Sequence, residues 1–158
     1  MLRISKFLLK ILPIFFLVLT PFFSGCATGE WGEGLHANKG PGVYELRYRL
    51  KVSTPSKVTF RMRTIRYPHV VLNGIKEDVS RAVSFDVERE ADFRIFTESR
   101  ETGLEVTMHI EPEYSGRTDI LCLVDGFLNK KKIYEHRDKS TLVNATHTLV
   151  VGLGDFDR

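Results

Sequence analysis

Strict alternation constrains this chain more than any other feature. In VYELRYRLKV (43–52), Tyr44, Leu46, Tyr48, Leu50 and Val52 face one way, and Glu45, Arg47, Arg49 and Lys51 face the other. Successive side chains on a pleated backbone point to opposite faces, so a period of two over this length specifies a half-buried strand. KVTFRMR (57–63) repeats the pattern, with Val58, Phe60 and Met62 inward and Arg61 and Arg63 outward. VSFDVERE (83–90) does so through Val83, Phe85 and Val87, and LEVTMHI (104–110) through Leu104, Val106, Met108 and Ile110.

Weaker strand signals cover 69–73, 91–97, 119–124, 131–136 and 141–151. Turn chemistry separates them: STPS (53–56), NG (73–74), ESRETG (98–103), PEYSG (112–116) and DG (125–126). GIKEDVSRAV (74–83) is the one stretch with the makings of a helical turn. The expected fold is all-β, a single antiparallel sandwich of about seven to nine strands over residues 43–154, immunoglobulin-like or transthyretin-like, with 155–158 as a tail. A small closed β-barrel is the alternative.

The N-terminus has a different composition. Arg3, Lys6 and Lys10 precede the apolar run ILPIFFLVLTPFF (11–23), and small residues follow it. That is the layout of a secretory leader. A spanning helix needs about 20 apolar residues; this run is shorter and carries Pro13 and Pro21 in its interior. The reading is a cleaved leader over 1–25, with an uncleaved anchor as the alternative. The formal charge of +3 comes entirely from those three leader residues, so the chain from Cys26 onward balances acid and base. That removes the compositional support for a nucleic-acid partner.

Phe23-Ser24-Gly25-Cys26 resembles the lipobox of bacterial lipoproteins: a large apolar residue, two small ones, then cysteine. Phe23 departs from the leucine usual at the first position. The resemblance implies diacylglycerol on the Cys26 thiol, cleavage before it, and an acylated first residue. Ala27 in place of aspartate implies sorting to the periplasmic face of the outer membrane. The other reading is an ordinary secreted protein with Cys26 free or bridged to Cys122. ATGEWGEGLHANKGPG (27–42) reads as a flexible tether, with five Gly, one Pro and no period. Its Trp31 suits either a lipid headgroup region or a cap on the domain. Cys122 sits in the apolar run ILCLVDG (120–126) and reads as a small buried hydrophobe.

Catalytic patterns are missing from the sequence. The His residues at 36, 69, 109, 136 and 147 lack ligand spacing, although cross-strand pairing could join His109 to His147. No phosphate loop, nucleophile elbow or dinucleotide fingerprint occurs. No cofactor, metal or enzymatic activity is therefore expected. Outward charges are basic on the first two strands (Arg47, Arg49, Lys51, Arg61, Arg63) and acidic later (Asp86, Glu88, Glu90, Glu105, Glu111). Basic beside acidic strands would give cross-strand pairs. The two basic strands paired together would give a binding stripe for anionic lipid or an acidic partner.

Two resemblances bear on function. A transthyretin-like sandwich on a lipid anchor is similar in architecture to the outer-membrane lipoprotein of type VI secretion machines. DILCLVDGFLNKKKIY (119–134) resembles the strand-turn-strand ending of small immunoglobulin-like proteins that accompany lipid exporters, without that family's second domain cysteine. Both imply a non-enzymatic envelope lipoprotein, held at the membrane through Cys26, whose sandwich docks to an envelope protein. The alternative is a lipid- or glycan-binding module. An exposed cluster of Tyr67, Tyr114 and Trp31 at one end would favour it.

Overall fold

The computed structural model describes residues 40–155. Cys26, the leader, the tether up to Lys39 and residues 156–158 lie outside the described residues. Ten strands follow in order: β1 Tyr44–Val52, β2 Ser56–Thr64, β3 His69–Leu72, β4 Ile75–Asp78 and β5 Val83–Val87, then β6 Glu90–Thr97, β7 Gly103–Pro112, β8 Arg117–Leu128, β9 Lys131–Val143 and β10 His147–Gly154. They form a large sheet, β4-β3-β6-β1-β8-β9, and a small one, β10-β7-β2-β5. Every pairing is antiparallel, and the two sheets pack face to face as a β-sandwich rather than a closed barrel.

The alternating strands bury the faces their pattern assigns. Tyr44, Leu46, Tyr48 and Leu50 of β1 meet Val58, Phe60 and Met62 of β2 and Leu104, Val106, Met108 and Ile110 of β7 across the interior. Phe60 is the hub, with ring centroids 4.7 Å from Phe93 and 5.6 Å from Tyr48, both edge-on. Such pairs add to the burial of their area. The Tyr48 hydroxyl lies inside this core with no hydrogen-bond partner among the described residues. Burial holds its pKa well above the ordinary tyrosine value. An unpaired buried hydroxyl is a net cost, so Tyr48→Phe is expected to stabilise the domain by about 1 kcal/mol. Urea denaturation would read this as a higher midpoint at unchanged slope, and a lower midpoint would contradict it.

Three local expectations change. Ile75–Asp78 is not a helical turn but the second strand of a hairpin, closed by Asn73 (φ 49°) and Gly74 (φ 84°). The left-handed pair is the two-residue turn that Asn-Gly favours. Asp125-Gly126 is not a turn, because β8 runs straight through it and the chain reverses at Asn129-Lys130 instead. Gly126 serves packing: a Cβ there would lie 2.9 Å from Tyr134 Cβ and 3.0 Å from Leu153 Cδ1. The ladder slips by one residue just after it. Finally, 131–136 and 141–151 are not two separate units. β9 is continuous to Val143, and Asn144 (φ 49°) starts the corner into β10 on the opposite sheet.

Chain direction defines two ends. The chain enters at Gly40, and the 65–68, 98–102 and 129–130 connections lie at that same end. The 53–55, 113–116 and 144–146 connections lie at the other.

Candidate functional site

The five basic residues proposed as a stripe do not share a face. β1 lies in the large sheet between β6 and β8, while β2 lies in the small sheet between β7 and β5. Arg47, Arg49 and Lys51 therefore project from one outer face and Arg61 and Arg63 from the opposite one. Acidic residues on the neighbouring strands meet several of these cations in ion pairs: Arg49 to Asp125 at 3.4 Å, Lys51 to Glu90 at 3.3 Å, Arg63 to Glu105 at 3.5 Å. Such exposed pairs contribute about 0–1 kcal/mol each. His109 and His147 are not brought together either. His109 stands opposite Thr148 and bonds its hydroxyl at 2.9 Å, whereas His147 stands one register position away and turns inward. There its Nε2 meets Asp138 Oδ2 at 2.5 Å, and that bond holds the Asp138 carboxyl below its ordinary pKa.

The most differentiated surface is the outer face of the large sheet. Register places Val71, Phe96, Glu45, Phe127 and Lys132 in one transverse row across β3, β6, β1, β8 and β9. The next row holds Arg94, Arg47, Asp125 and Glu135. Glu45 occupies an outward position yet is only 6% exposed. Its carboxylate accepts from Arg94 Nε at 2.6 Å and Nη2 at 3.2 Å, and from Arg47 Nε at 2.6 Å. Each guanidinium also lies over a ring, Arg47 Cζ 4.4 Å from the Phe127 centroid and Arg94 Cζ 4.8 Å from that of Phe96. The cations thus hold the carboxylate from one side and cover the aromatic faces from the other.

Burial works against ionisation of Glu45, but hydrogen bonds and charge from Arg94 and Arg47 outweigh it and hold the pKa below its ordinary value. A group held ionised in this way is suited to a fixed salt-bridge centre. It is the opposite of the raised carboxyl a general acid requires. Beyond Asp125, whose carboxylate also receives Lys132 Nζ at 2.7 Å, the half-buried Leu121 and Leu123 floor a shallow open depression rimmed by Arg49, Lys51, Glu90 and Asp92. The face therefore combines stacked Arg–Phe pairs, half-buried aliphatic surface and mixed charge; of these, the aromatic and Arg side chains are the types enriched at protein-docking surfaces.

Sequence reasoning missed Glu45, Arg94, Phe96 and Phe127. A signal was present: Phe96 is out of phase with inward Phe93 and Ile95, and the β8 run is apolar on both faces. Tyr67 and Tyr114 are exposed but sit at opposite ends of the sandwich, so they form no single aromatic platform.

No protein-family model matches the sequence, and no curated protein matches it. Among solved structures, the chain is similar to a domain of unknown function, DUF4425, from Bacteroides vulgatus, with a TM-score of 0.52 and 10% identity over 75% of this chain and 100% of that one. It is also similar to a DUF4425 family protein from Bacteroides ovatus, with a TM-score of 0.47 and 10% identity over 72% of this chain and 95% of that one. At that identity the first likeness speaks to the fold alone: an all-β domain whose two antiparallel sheets pack as a sandwich.

Proposed function

We propose that this chain is a non-enzymatic bacterial envelope lipoprotein, anchored through acylated Cys26 at the periplasmic face of the outer membrane, whose large sheet docks to a protein partner. The observation that carries docking is the outer face of that sheet. Arg47 stacks on Phe127 and Arg94 on Phe96 around the shared Glu45 carboxylate, beside half-buried Leu121 and Leu123. Stacked, hydrogen-bonded arginines are ordered before a partner arrives, so less side-chain entropy is lost on binding. Aromatic and Arg side chains are also those that concentrate binding energy at interfaces. Support for the anchor is the Phe23-Ser24-Gly25-Cys26 motif directly after an apolar run.

The test is in-cell crosslinking of the full chain from a photoreactive residue at Leu123, with Lys57 on the opposite sheet as control. A discrete adduct is expected from position 123, absent from position 57, and lost on Cys26→Ala if anchoring is required. Phe127→Ala should weaken that adduct by roughly tenfold. Equal crosslinking from both faces, or none from position 123, would remove the docking proposal.

A further inference from the structure

Beyond the docking face, the end of the sandwich where the chain enters has its own surface chemistry. Ile65 and Tyr67 are 46% and 49% exposed on the β2–β3 connection, and Val43 is 36% exposed on the entering segment at the same end. Three of the domain's exposed large apolar side chains therefore gather at one end. They are not on a loose loop. The buried Glu101 carboxylate accepts the backbone N–H groups of Ile65, Arg66 and Tyr67, at 3.3, 3.0 and 2.5 Å. The Glu101 backbone in turn pairs with Gly42, exchanging two hydrogen bonds of 2.8 Å.

Cations share this end of the sandwich. Arg66 follows Ile65, and Lys130 and Lys131 form the tip of the β8–β9 hairpin. That tip is tied to the entering segment by Asn129, which bonds Val43 through both backbone and side chain at 2.9 Å. Arg100 reaches the Pro41 carbonyl at 3.4 Å. Arg66, Lys130 and Lys131 make no ion pair with a described residue. Among the described residues the acidic groups at this end are Asp155, the buried Glu101, Glu77, Asp78, and Glu98 in its 2.7 Å pair with Lys76. At the far end Asp86, Glu88, Glu111 and Glu113 rim a shallow cleft in which Lys57 is the only cation among its lining residues.

We infer that this basic, apolar end is a membrane-contact surface for anionic phospholipid, with Ile65 and Tyr67 entering the headgroup region and Arg66, Arg100, Lys130 and Lys131 meeting lipid phosphates. The inference rests on the proposed anchor at Cys26. Thirteen residues lie between Cys26 and Gly40, and the connection spans at most about 50 Å, so the anchor keeps this end within that distance of the bilayer. Attraction of about 1 kcal/mol per cation near an anionic surface then orients the sandwich, while the acidic cleft at the far end is repelled. Amphipathic aromatics and snorkelling cations are the side chains that suit this depth. One consequence is that the two ends and the large sheet face have separate tasks, because contact at one end leaves the outer face of the sheet open sideways to a partner.

The test uses the full-length lipidated protein, reconstituted on vesicles of phosphatidylcholine containing about one third phosphatidylglycerol. A fluorophore is attached at Ser99→Cys near the entry end or at Ser115→Cys at the far end. Cys26 is acylated in this protein and Cys122 is buried, so neither competes for the label. Quenching by a nitroxide lipid is expected to be several-fold stronger at position 99 than at 115. The double variant K130Q/K131Q should shift the docked population by roughly thirtyfold, and 1 M salt should weaken contact as the Debye length falls to about 3 Å. Equal quenching at both positions on vesicle-bound protein, or indifference to phosphatidylglycerol, would overturn the contact surface and leave the anchor intact. Failure of the protein to bind vesicles at all, matched by Cys26→Ser, would overturn the anchor and the surface together.

Discussion

Replacing Glu101 with alanine is expected to destabilise the domain by about 3–4 kcal/mol. The side chain is fully buried and accepts three consecutive backbone N–H groups from residues 65–67, a connection far away in sequence. Truncation leaves those donors without their acceptor and opens a void beneath the loop. Buried donors without partners cost about 1–3 kcal/mol each. This loop is only part-buried, so water recovers some of the loss, and the total falls below the simple sum. Glu101→Gln retains the volume and one acceptor oxygen but turns an NH2 group toward amide donors, so about half the loss is expected. Urea denaturation gives the magnitude, and hydrogen exchange gives the location. Amides of residues 65–67 should lose protection in Glu101→Ala, while Ile65 and Tyr67 lose their fixed presentation at the entry end. A change below about 1 kcal/mol with those amides still protected would show that the loop is held by other contacts.

Glu101 also shows where sequence reading stops. It lies in ESRETG, which has the composition of a surface turn, and nothing local marks one of its two glutamates as buried. Its partners are backbone amides of another connection, so no side-chain pattern in either segment encodes the contact. By contrast β1, β2 and β7 were legible residue by residue, because burial of one face imposes a period of two and a slip of one residue would expose the whole apolar set. Alternation specifies which face is buried but not which strand lies alongside. That is why the basic faces of β1 and β2 could be read as neighbours when the chain in fact crosses between sheets after Val52. Asp125-Gly126 misled for a related reason. The dipeptide suits a turn, but packing of Tyr134 and Leu153 against the missing side chain uses the glycine instead.

Glu45 was legible as an outward residue and illegible as a buried one. Its cover comes from Phe96 on β6 and Phe127 on β8, neighbours that only the tertiary register supplies. Glu45→Gln is expected to lower stability by about 2 kcal/mol at neutral pH, the scale of hydrogen bonds to a charged group. Glu45→Ala should cost more, about 2–3 kcal/mol, because Arg47 and Arg94 then face each other without a counter-charge. Both guanidiniums are about half exposed, which lets water relieve part of that repulsion and keeps the value below that of a fully buried pair.

The pH dependence separates charge from packing in these two variants. Folding lowers the Glu45 pKa, so the unfolded chain binds its proton first as pH falls. The contribution is complete above the unfolded glutamate value, about 4.3, and is lost as pH drops through the lower folded value. Asp138, Asp119, Asp78 and Glu98 are also held low, but they are common to both proteins and cancel in the difference. The gap between wild type and Glu45→Gln should therefore be full at pH 7 and shrink steadily below about pH 4. A gap that stays constant through the acid range would mean that Glu45 acts by shape rather than charge. The Arg–Phe stacks would then be held by the rings and the sheet alone.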